Sequence, residues 1–298
     1  MSSKKSLLVH RYLQAALSEN TRRAYHNDLQ QFIRWGGSIP SSPKRIAQYL
    51  AEHAEQLSFA TLSRRVVAIG KAHEQRNIPS PTQSVVVKAT LHGIRRLNGS
   101  LQRRVAPTLL SDIQMMVKGL RGMKGIRDKA LLLVGFAGAF RRSELISIKV
   151  EDVSFVEQGM IVHLKRGKTD QAGKGRDIAI PYMRGRCCPV KALSEWLGTS
   201  GITSGAVFRR VGRYGNLLGQ GLSPQSVALL VKQRVEAIGR NAQLYSGHSL
   251  RAGWVTSAAR LGASTWNICQ HTGHQSETVM HGYIRGGDLF ANHPLRNL

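Results

Sequence analysis

Hydrophobic residues in the first hundred positions recur at the spacing of one helix face, with polar residues between them. Ser18 can cap the start of one such helix, and Gly36-Gly37 can end it. Ser42-Pro43 favours another helix start, because the fixed backbone angle of proline suits the first turn. The pattern predicts helices over residues 6–17, from Ser18 to Trp35, from Ser42, from Ser58 and over about residues 84–97. Their apolar faces together predict a small, all-helical domain.

A polar, basic stretch at residues 98–104 interrupts the helical pattern; it has little to bury and is interpreted as a linker. Helical spacing returns over residues 109–120 and 127–140. The period then changes, and the sequence predicts three short strands over residues 153–156, 160–164 and 177–180. A basic, glycine-containing loop joins the last two strands. After Pro181 the spacing is helical again nearly to the end of the chain.

The net charge of the chain indicates which class of molecule it binds. The 298 residues include 43 lysines and arginines against 17 aspartates and glutamates, a formal net charge of +26 with a pI near 11.0. Hydrophobic residues make up 42% of the chain, which is enough for a folded core. A large positive surplus on a folded protein indicates a polyanionic partner, nucleic acid before any other.

The cysteines at positions 187, 188 and 269 show no CxxC pairing and no neighbouring histidine or cysteine ligands. We therefore expect a reducing cytoplasm, no disulfide framework and no zinc site. No apolar run in the sequence is long enough for a signal peptide or a membrane-spanning helix. The expectation is a soluble, cytoplasmic protein without a bound metal or cofactor.

Four segments of the second half carry side chains that could bind or attack a phosphate. His248 and Arg251 are three residues apart, so on a helix both project from one face and suit the oxygens of a phosphate. Each segment alone also fits an ordinary role, such as a surface arginine, a solvated hairpin, a capped helix start or a core tyrosine. The other candidates are Arg141, Arg142 and Glu144 after an apolar helix, Lys165, Lys168 and Lys174 in the strand loop, and His274 with Tyr283 near the C-terminus.

Taken in chain order, these segments resemble the tyrosine recombinase (phage integrase) family. The matching stretches are FRRSEL, RGKTDQAG, SGHSLRAG, TGHQS and HGYIR, which span roughly residues 141–285. The first half resembles the helical core-binding domain of Cre-like members through its SENT…W pattern and its SPKRIAQYL helix. The resemblance implies a mainly α fold: a SAM-like core-binding domain, and a mostly α catalytic domain with a small three-stranded antiparallel sheet.

The resemblance also implies a domain division and partners. We place the core-binding domain at residues 1–98, the linker at residues 99–107 and the catalytic domain at residues 108–298. Members of the family work as a tetramer on two paired sites. Double-stranded DNA and further copies of the chain are therefore the expected partners, alone or with a second recombinase or an accessory protein.

Each matching residue takes a role from the resemblance. Arg141 corresponds to the first catalytic arginine, because it lies three residues before Glu144, which would support it; Arg142 is the competitor. The other matches are Lys168 for the hairpin lysine, with Lys165 and Lys174 as rivals, His248 and Arg251 for the His-x-x-Arg pair, His274 for the His/Trp position, and Tyr283 for the nucleophile.

The implied chemistry is cutting and rejoining of DNA without metal or ATP. Tyr283 attacks a phosphodiester, giving a 3′-phosphotyrosine link and a free 5′-hydroxyl, and the link conserves the bond energy for rejoining. Arginines bind the non-bridging oxygens as negative charge grows there, and the two histidines add donors. Lys168 would protonate the leaving oxygen, and His248 would help to deprotonate Tyr283. The expected activity is site-specific recombination, for integration, excision or resolution of a DNA element.

Three further residues are candidate DNA contacts. Arg23 and Arg64 fall on helices that resemble the groove-facing helices of the family, and they could equally contact phosphates. Gln225, in the helix that begins at Ser223-Pro224, is a candidate base reader.

Two alternative functions fit much of the same pattern. One is a type IB topoisomerase-like nicking-closing enzyme, which shares the chemistry but acts as a monomer on any DNA. The other is a DNA-binding protein on the same scaffold that does not cut.

Overall fold

The computed structural model describes residue 12 and residues 16–99, 105–165 and 175–274. The chain forms two compact units, the first ending at Arg104 and the second beginning at Val105. The helix predicted over residues 6–17 lies almost wholly outside the described residues. Within the described ranges, no helix combines the length and the apolar character needed to cross a lipid bilayer.

Serine side chains cap the helices described in the first unit. Ser18, Ser42, Ser58 and Ser84 each accept a hydrogen bond from the backbone N–H three positions later. The helix starts predicted at the first three of these serines are confirmed. The helices are α1 (Glu19–Arg34), α2 (Pro43–Glu52), α3 (Phe59–Glu74) and α4 (Val85–Asn98), with a 3₁₀ turn at Pro81–Gln83.

The first unit has its own apolar core. Phe32 and Tyr49 are fully buried and meet edge to face, with ring centroids 5.0 Å apart. The Asp28 carboxylate is buried beside them, and Arg64 donates two hydrogen bonds to it, of 2.6 and 3.1 Å. A buried carboxylate needs such a partner, so this pair joins α1 to α3.

The second unit is arranged around one buried helix, α6. Its Leu131, Leu132 and Val134 are at most 1% exposed, because a helix that is apolar almost all round must be covered on all sides. Helices α8 and α10 pack against it. The helices are α5 (Leu110–Val117), α6 (Gly122–Ala137), α7 (Arg142–Ser147), α8 (Pro189–Ser200), α9 (Pro224–Ala237), α10 (Ser249–Arg260) and α11 (Thr265–Thr272), with 3₁₀ turns at Val150–Asp152 and Ala242–Leu244.

The chain leaves α6 earlier than the sequence predicts. Apolar spacing predicts one helix through Phe140, but α6 ends at Ala137, and Ala139 adopts the left-handed conformation with φ of 47°. The prediction was wrong here because the turn is itself apolar and buried, so hydrophobic periodicity does not reveal it. Helix α7 then begins at Arg142.

The three predicted strands form an antiparallel sheet. Their order is β1 (Val153–Val156), β2 (Gly159–Leu164) and β3 (Arg176–Pro181). In the central strand, Met160 lies opposite Phe155 on one side and Ile180 on the other. Met160 and Ile180 are buried, so one face of the sheet packs on the core.

A two-stranded ribbon lies where the sequence predicts only helix. Strands β4 (Arg209–Val211) and β5 (Leu217–Gly221) pair antiparallel, with an irregular register between Arg209 and Val211. These strands are short and largely exposed, so they lack the period of two that marks a half-buried strand. The prediction of uninterrupted helix after Pro181 is corrected accordingly.

The segment that precedes α5 packs against the start of α10. Ala106 N–H donates to Leu244 O at 2.8 Å. Thr108 binds the Ser249 carbonyl oxygen with both its backbone N–H (3.1 Å) and its hydroxyl (2.9 Å). Gly253 permits this close approach, since a Cβ atom there would lie 1.7 Å from the Thr108 carbonyl oxygen. The N-terminal end of α10 is therefore fixed by extended backbone.

We expect Gly253→Ala to destabilise the protein. The added methyl group would overlap the Thr108 carbonyl, and relieving such an overlap by moving backbone costs about 1–3 kcal/mol of the free energy of unfolding. Gly198→Ala is the matched control, because Gly198 is a helical glycine of α8 with no atom within 4 Å of its would-be Cβ. It should stabilise by roughly 0.5–1 kcal/mol. Urea unfolding of both variants measures the difference, and equal stability would contradict the close packing of Gly253 on the Thr108 carbonyl.

Candidate active site

The N-terminal end of α10 carries two of the predicted residues. Ser249 Oγ accepts from the Ser246 N–H at 3.0 Å, and Ser246 Oγ accepts from the His248 N–H at 3.1 Å. His248 is the residue immediately before α10, and Arg251 lies in its first turn. One rigid helix end therefore positions both side chains.

Arg251 connects three segments of the second unit. Its side chain has no exposed surface, yet it carries a charge. Nη1 donates to the Ala139 carbonyl oxygen and Nη2 to the Thr272 carbonyl oxygen, both at 2.8 Å. These contacts satisfy donors that burial removes from water. They also fix α10 against the turn after α6 and the C-terminal end of α11.

The left-handed backbone at Ala139 presents its carbonyl to Arg251. A non-glycine residue in this conformation is strained by roughly 1–2 kcal/mol, so it persists only where its surroundings hold it. Ala139 N–H closes the turn by donating to Phe136 O at 2.9 Å, and its own carbonyl accepts from Arg251. Arg141, at the start of α7, follows this turn by two residues.

Arg141 and Glu144 form a local pair at the start of α7. Glu144 Oε2 accepts from the Arg141 backbone N–H at 2.9 Å, and Oε1 accepts from Arg141 Nη1 at 2.5 Å. Glu144 is 4% exposed, whereas Arg142 is exposed and its Cβ lies near Gly247. The structure thus brings Arg141, and not its competitor Arg142, onto the predicted supporting carboxylate.

Arg176, the first residue of β3, also belongs to the group of charged side chains around Glu144. No sequence pattern predicted this position. Its Nη1 donates to the His271 carbonyl oxygen at 2.8 Å, and its Nη2 lies 3.5 Å from Glu144 Oε2. Burial lowers the pKa of Arg176, and the neighbouring Arg141 lowers it further. The loop before Arg176 contains several basic residues, and the sequence does not show which of them points into the protein.

His274 is held in its neutral form. The Thr272 hydroxyl donates to Ile268 O at 2.6 Å, so its oxygen accepts from His274 Nδ1–H at 2.7 Å. Arg251 Nη2 lies 3.0 and 3.3 Å from the two ring nitrogens, which places this cationic group against the ring. Burial, and then the Arg251 charge, lower the pKa of His274 to about 3.

Two other histidines of the cluster are also shifted toward the neutral form. Burial lowers the pKa of His248, and the charges of Arg251 and Arg141 add to this effect. Burial likewise lowers the pKa of His271, which stacks on Trp254 with ring centroids 4.1 Å apart. His271 Nε2 donates to Ala137 O at 2.8 Å, so this residue supports the turn after α6. Nothing in the sequence distinguished it from an ordinary helix histidine.

The arrangement concentrates positive charge at one place. Arg141, Arg176 and Arg251 converge, and within the described residues Glu144 is the acidic side chain that pairs with this group. Convergent guanidinium groups and imidazoles suit the oxygens of a phosphate. Among the residues that the structure describes, no three His, Cys, Asp or Glu side chains are grouped closely enough to hold a metal ion.

Lys168 and Tyr283 lie outside the described residues, as does Lys174. Of the three hairpin lysines, Lys165 is described, and its Nζ forms an ion pair of 2.7 Å with the buried Asp152 carboxylate. That pairing gives Lys165 a structural task at the end of β2. The choice among Lys165, Lys168 and Lys174 for the hairpin role stays a prediction.

The candidate DNA contacts lie in varied surroundings. Arg23 is 73% exposed and pairs with Glu19 on its own helix at 2.8 Å. Arg64 is about half exposed, and it forms an ion pair with the buried Asp28 carboxylate. Gln225 is exposed in the first turn of α9, directly after the Ser223 cap.

Comparison with known proteins gives consistent matches. Residues 103–288 match the sequence model of a family described as the phage integrase family. The chain is 38% identical over 304 residues to the integrase/recombinase xerD homolog of Selenomonas ruminantium, covering 98% of this chain and 89% of that protein. It is 24% identical over 276 residues to recombinase cre of Escherichia phage P1, covering 84% of this chain and 78% of that protein.

Solved structures match over nearly the whole chain. A lambda integrase dimer bound to a COC′ core site has a TM-score of 0.63 at 16% identity, covering 98% of this chain and 97% of that one. The Tn1549 transposon integrase in complex with transposon right end DNA has a TM-score of 0.63 at 13% identity, covering 94% of this chain and 91% of that one. At these identities the likeness concerns the fold alone.

The neutral histidines predict that acid destabilises the DNA-free protein. A folded-state pKa below the ordinary 6.5 means that the unfolded chain binds more protons, so stability falls as the pH drops below about 6.5. For His274 the loss continues down to its folded-state pKa of about 3. We expect the melting temperature to fall between pH 7 and pH 5, less steeply in His274→Gln. His26→Gln, at an exposed position, is the control, and an unchanged slope in His274→Gln would contradict the assignment.

Proposed function

The chain belongs to the phage integrase family and is a site-specific tyrosine recombinase, and we propose that the cluster around Arg251 holds the DNA phosphate at which it cuts. The supporting observation is convergence. Arg251 Nη2 lies 3.0 Å from His274 Nε2, and Arg251 shares the start of α10 with His248. The Arg141 charge also lowers the pKa of both histidines, so Arg141 faces the same place. A phosphate is the group in DNA that such a cluster recognises.

In the proposed reaction, the Tyr283 oxygen attacks the phosphorus atom while the bond to the 5′-oxygen breaks. Lys168 gives a proton to the leaving 5′-oxygen, and the 3′-phosphotyrosine keeps the bond energy for rejoining. Arg141 and Arg251 bind the non-bridging oxygens as their charge grows. Glu144 and the carbonyl contacts of Arg251 hold these guanidinium groups in place before DNA arrives.

The histidines change role when the phosphate arrives. A neutral His248 can accept the proton of Tyr283, and its lowered pKa keeps it neutral in the free protein. The negative charge of the phosphate favours the protonated form of His274. Nδ1–H already binds the Thr272 hydroxyl and Nε2 faces Arg251 Nη2 at 3.0 Å, so His274 would donate from Nε2 only once the phosphate replaces this contact with Arg251.

Double-stranded DNA is the proposed partner for both parts of the chain. We assign DNA contacts to a core-binding domain at residues 1–98 and a catalytic domain at residues 108–298, joined by a linker at residues 99–107. Arg23 and Arg64 would contact phosphates from the first, and Gln225 would contact a base edge from the second. A tetramer on paired sites in the cytoplasm completes the proposal, with or without a second recombinase or accessory protein.

A covalent protein–DNA adduct is the first test. Nicked duplexes that tile the DNA flanking the gene are mixed with the protein in EDTA and resolved on a denaturing gel. We expect a shifted band that Tyr283→Phe abolishes while keeping DNA binding, because only the nucleophilic oxygen is lost. Tyr214→Phe, at an exposed tyrosine of the β4–β5 ribbon, should keep the band. A band in Tyr283→Phe would mean another nucleophile.

A plasmid without any flanking sequence separates recombination from the topoisomerase alternative. Under the proposal such a plasmid stays supercoiled while the flanking duplexes form the adduct. Relaxation of this plasmid at a similar rate would favour a nicking-closing enzyme. DNA binding without an adduct on any duplex would favour a non-cutting protein.

Arg251→Lys is expected to lower the cleavage rate about 10²–10³-fold, the usual effect of losing one transition-state donor. Lysine keeps the charge but cannot bind two carbonyl oxygens and a phosphate with a fixed fork. Single-turnover cleavage at saturating DNA is the measurement. Arg142→Lys, at an exposed neighbour, should cleave within about threefold of the unaltered protein. Comparable losses in both variants would contradict the assignment of Arg251.

A further inference from the structure

Arg176 occupies a position that links several parts of the catalytic unit. It begins β3, directly after the loop that joins β2 to β3, and its side chain is only 22% exposed. The guanidinium reaches the start of α7 on one side and the C-terminal end of α11 on the other. Arg141 lies at the start of α7, and His274 follows the end of α11. Both residues are assigned to the phosphate site.

On the α7 side, Arg176 shares a carboxylate with Arg141. Glu144 Oε1 binds Arg141 Nη1, and Oε2 binds the Arg141 backbone N–H while lying 3.5 Å from Arg176 Nη2. Glu144 is therefore held from both sides by guanidinium groups. Removal of Arg176 would leave one side of a buried carboxylate without its cation, and Glu144 could then turn and carry Arg141 with it.

On the α11 side, two arginines bind consecutive carbonyls. Arg176 takes the carbonyl oxygen of His271, and Arg251 takes that of Thr272. The next residue, Gly273, has a positive φ of 67°, and a Cβ there would lie 2.6 Å from Arg176 Nη1. Arg176 is thus packed against the turn that leads to His274, and it limits where that imidazole can lie.

The Arg176 guanidinium is turned toward other protein groups. Its Nη2 atom is buried and makes no hydrogen bond among the described residues, so its partner is the Glu144 charge alone. Nη1 is used by the His271 carbonyl. Among the described residues, its partners are thus two protein groups, the His271 carbonyl oxygen and the Glu144 carboxylate.

We propose that Arg176 is a positioning residue for strand cleavage: it fixes the Glu144–Arg141 pair and the turn before His274 in one arrangement. This inference rests on the proposed function of the cluster. Loss of a residue that orients reactive groups typically lowers activity about 10–100-fold, judged from the supporting residues of metal sites. The loss should fall on the cleavage step, with little change in DNA affinity.

The test compares Arg176→Ala and Arg176→Lys with Arg234→Ala in single-turnover cleavage of the duplex that gives the adduct. Arg234 is the matched control, because it is an arginine of the same unit that likewise donates to backbone carbonyl oxygens, those of Met116 and Lys118. We expect Arg176→Ala to cleave about 10–100-fold more slowly at saturating DNA, with affinity within about threefold. Arg234→Ala should cleave at nearly the unaltered rate.

Two further measurements separate positioning from general stability. Millimolar guanidinium chloride should restore part of the cleavage by Arg176→Ala, while the same concentration of potassium chloride should not. Combining Arg176→Ala with Glu144→Gln should cost less than the two separate losses multiplied together, because both act on Arg141. If Arg176→Ala melts at a lower temperature than Arg234→Ala, Arg176→Lys becomes the decisive variant. We expect it to cleave about tenfold more slowly than the unaltered protein.

Each remaining outcome decides the matter. Cleavage at the unaltered rate by Arg176→Ala, or by Arg176→Lys where the alanine variant is unfolded, overturns the inference. Loss of DNA affinity without a slower cleavage step would make Arg176 a DNA contact, which also overturns it. Failure of the proposed function looks different, because the unaltered protein would then form no adduct that depends on Tyr283.

Discussion

The active-site geometry depends on the burial of one guanidinium group. Arg251 has no exposed surface, and a charge in such a position is tolerated only where its donors meet acceptors. The carbonyls of Ala139 and Thr272 supply two of these, and they belong to the turn after α6 and the last turn of α11. Both segments must therefore point their backbone at α10. The strained backbone of Ala139 is a local cost that this requirement explains.

The protonation states around Arg251 follow from the same constraint. A carbonyl contact orients a guanidinium without removing its charge, so neighbouring groups experience that charge at short range. His274 lies against Arg251 and has a pKa of about 3, and His248 is shifted in the same direction. The Glu144 carboxylate is buried between Arg141 and Arg176, where two cations compensate for its desolvation. Neutral imidazoles and a buried carboxylate are thus two consequences of one concentration of positive charge.

The site residues could be predicted from the order of the sequence motifs, which resembles the tyrosine recombinase family, and local geometry supported the choice within single motifs. His248 and Arg251 are joined by one helix turn, and Arg141 could be preferred over Arg142 because it lies three residues before Glu144 in the matching motif. Serine caps likewise gave the helix starts of the first unit. Arg176 could not be found in this way, since its contacts join β3 to helices 32 and 95 positions away, and no local pattern encodes which of several basic residues in a loop turns inward. The left-handed turn and the β4–β5 ribbon were missed for a related reason: neither shows a clear hydrophobic period.

The DNA-free cluster is a compromise that a phosphate would relieve. Convergent guanidinium groups repel one another, and His248 and His274 are kept neutral although both lie where an anion is expected to bind. A phosphate would attract the guanidinium groups and favour protonation of His274. By linkage, a ligand that raises the pKa values of the folded state removes the acid sensitivity that depressed values create. The positive charge that prepares the site for the transition state therefore also lowers the stability of the DNA-free protein in acid. Bound DNA would reduce this loss of stability, because it would raise the pKa values of the histidines.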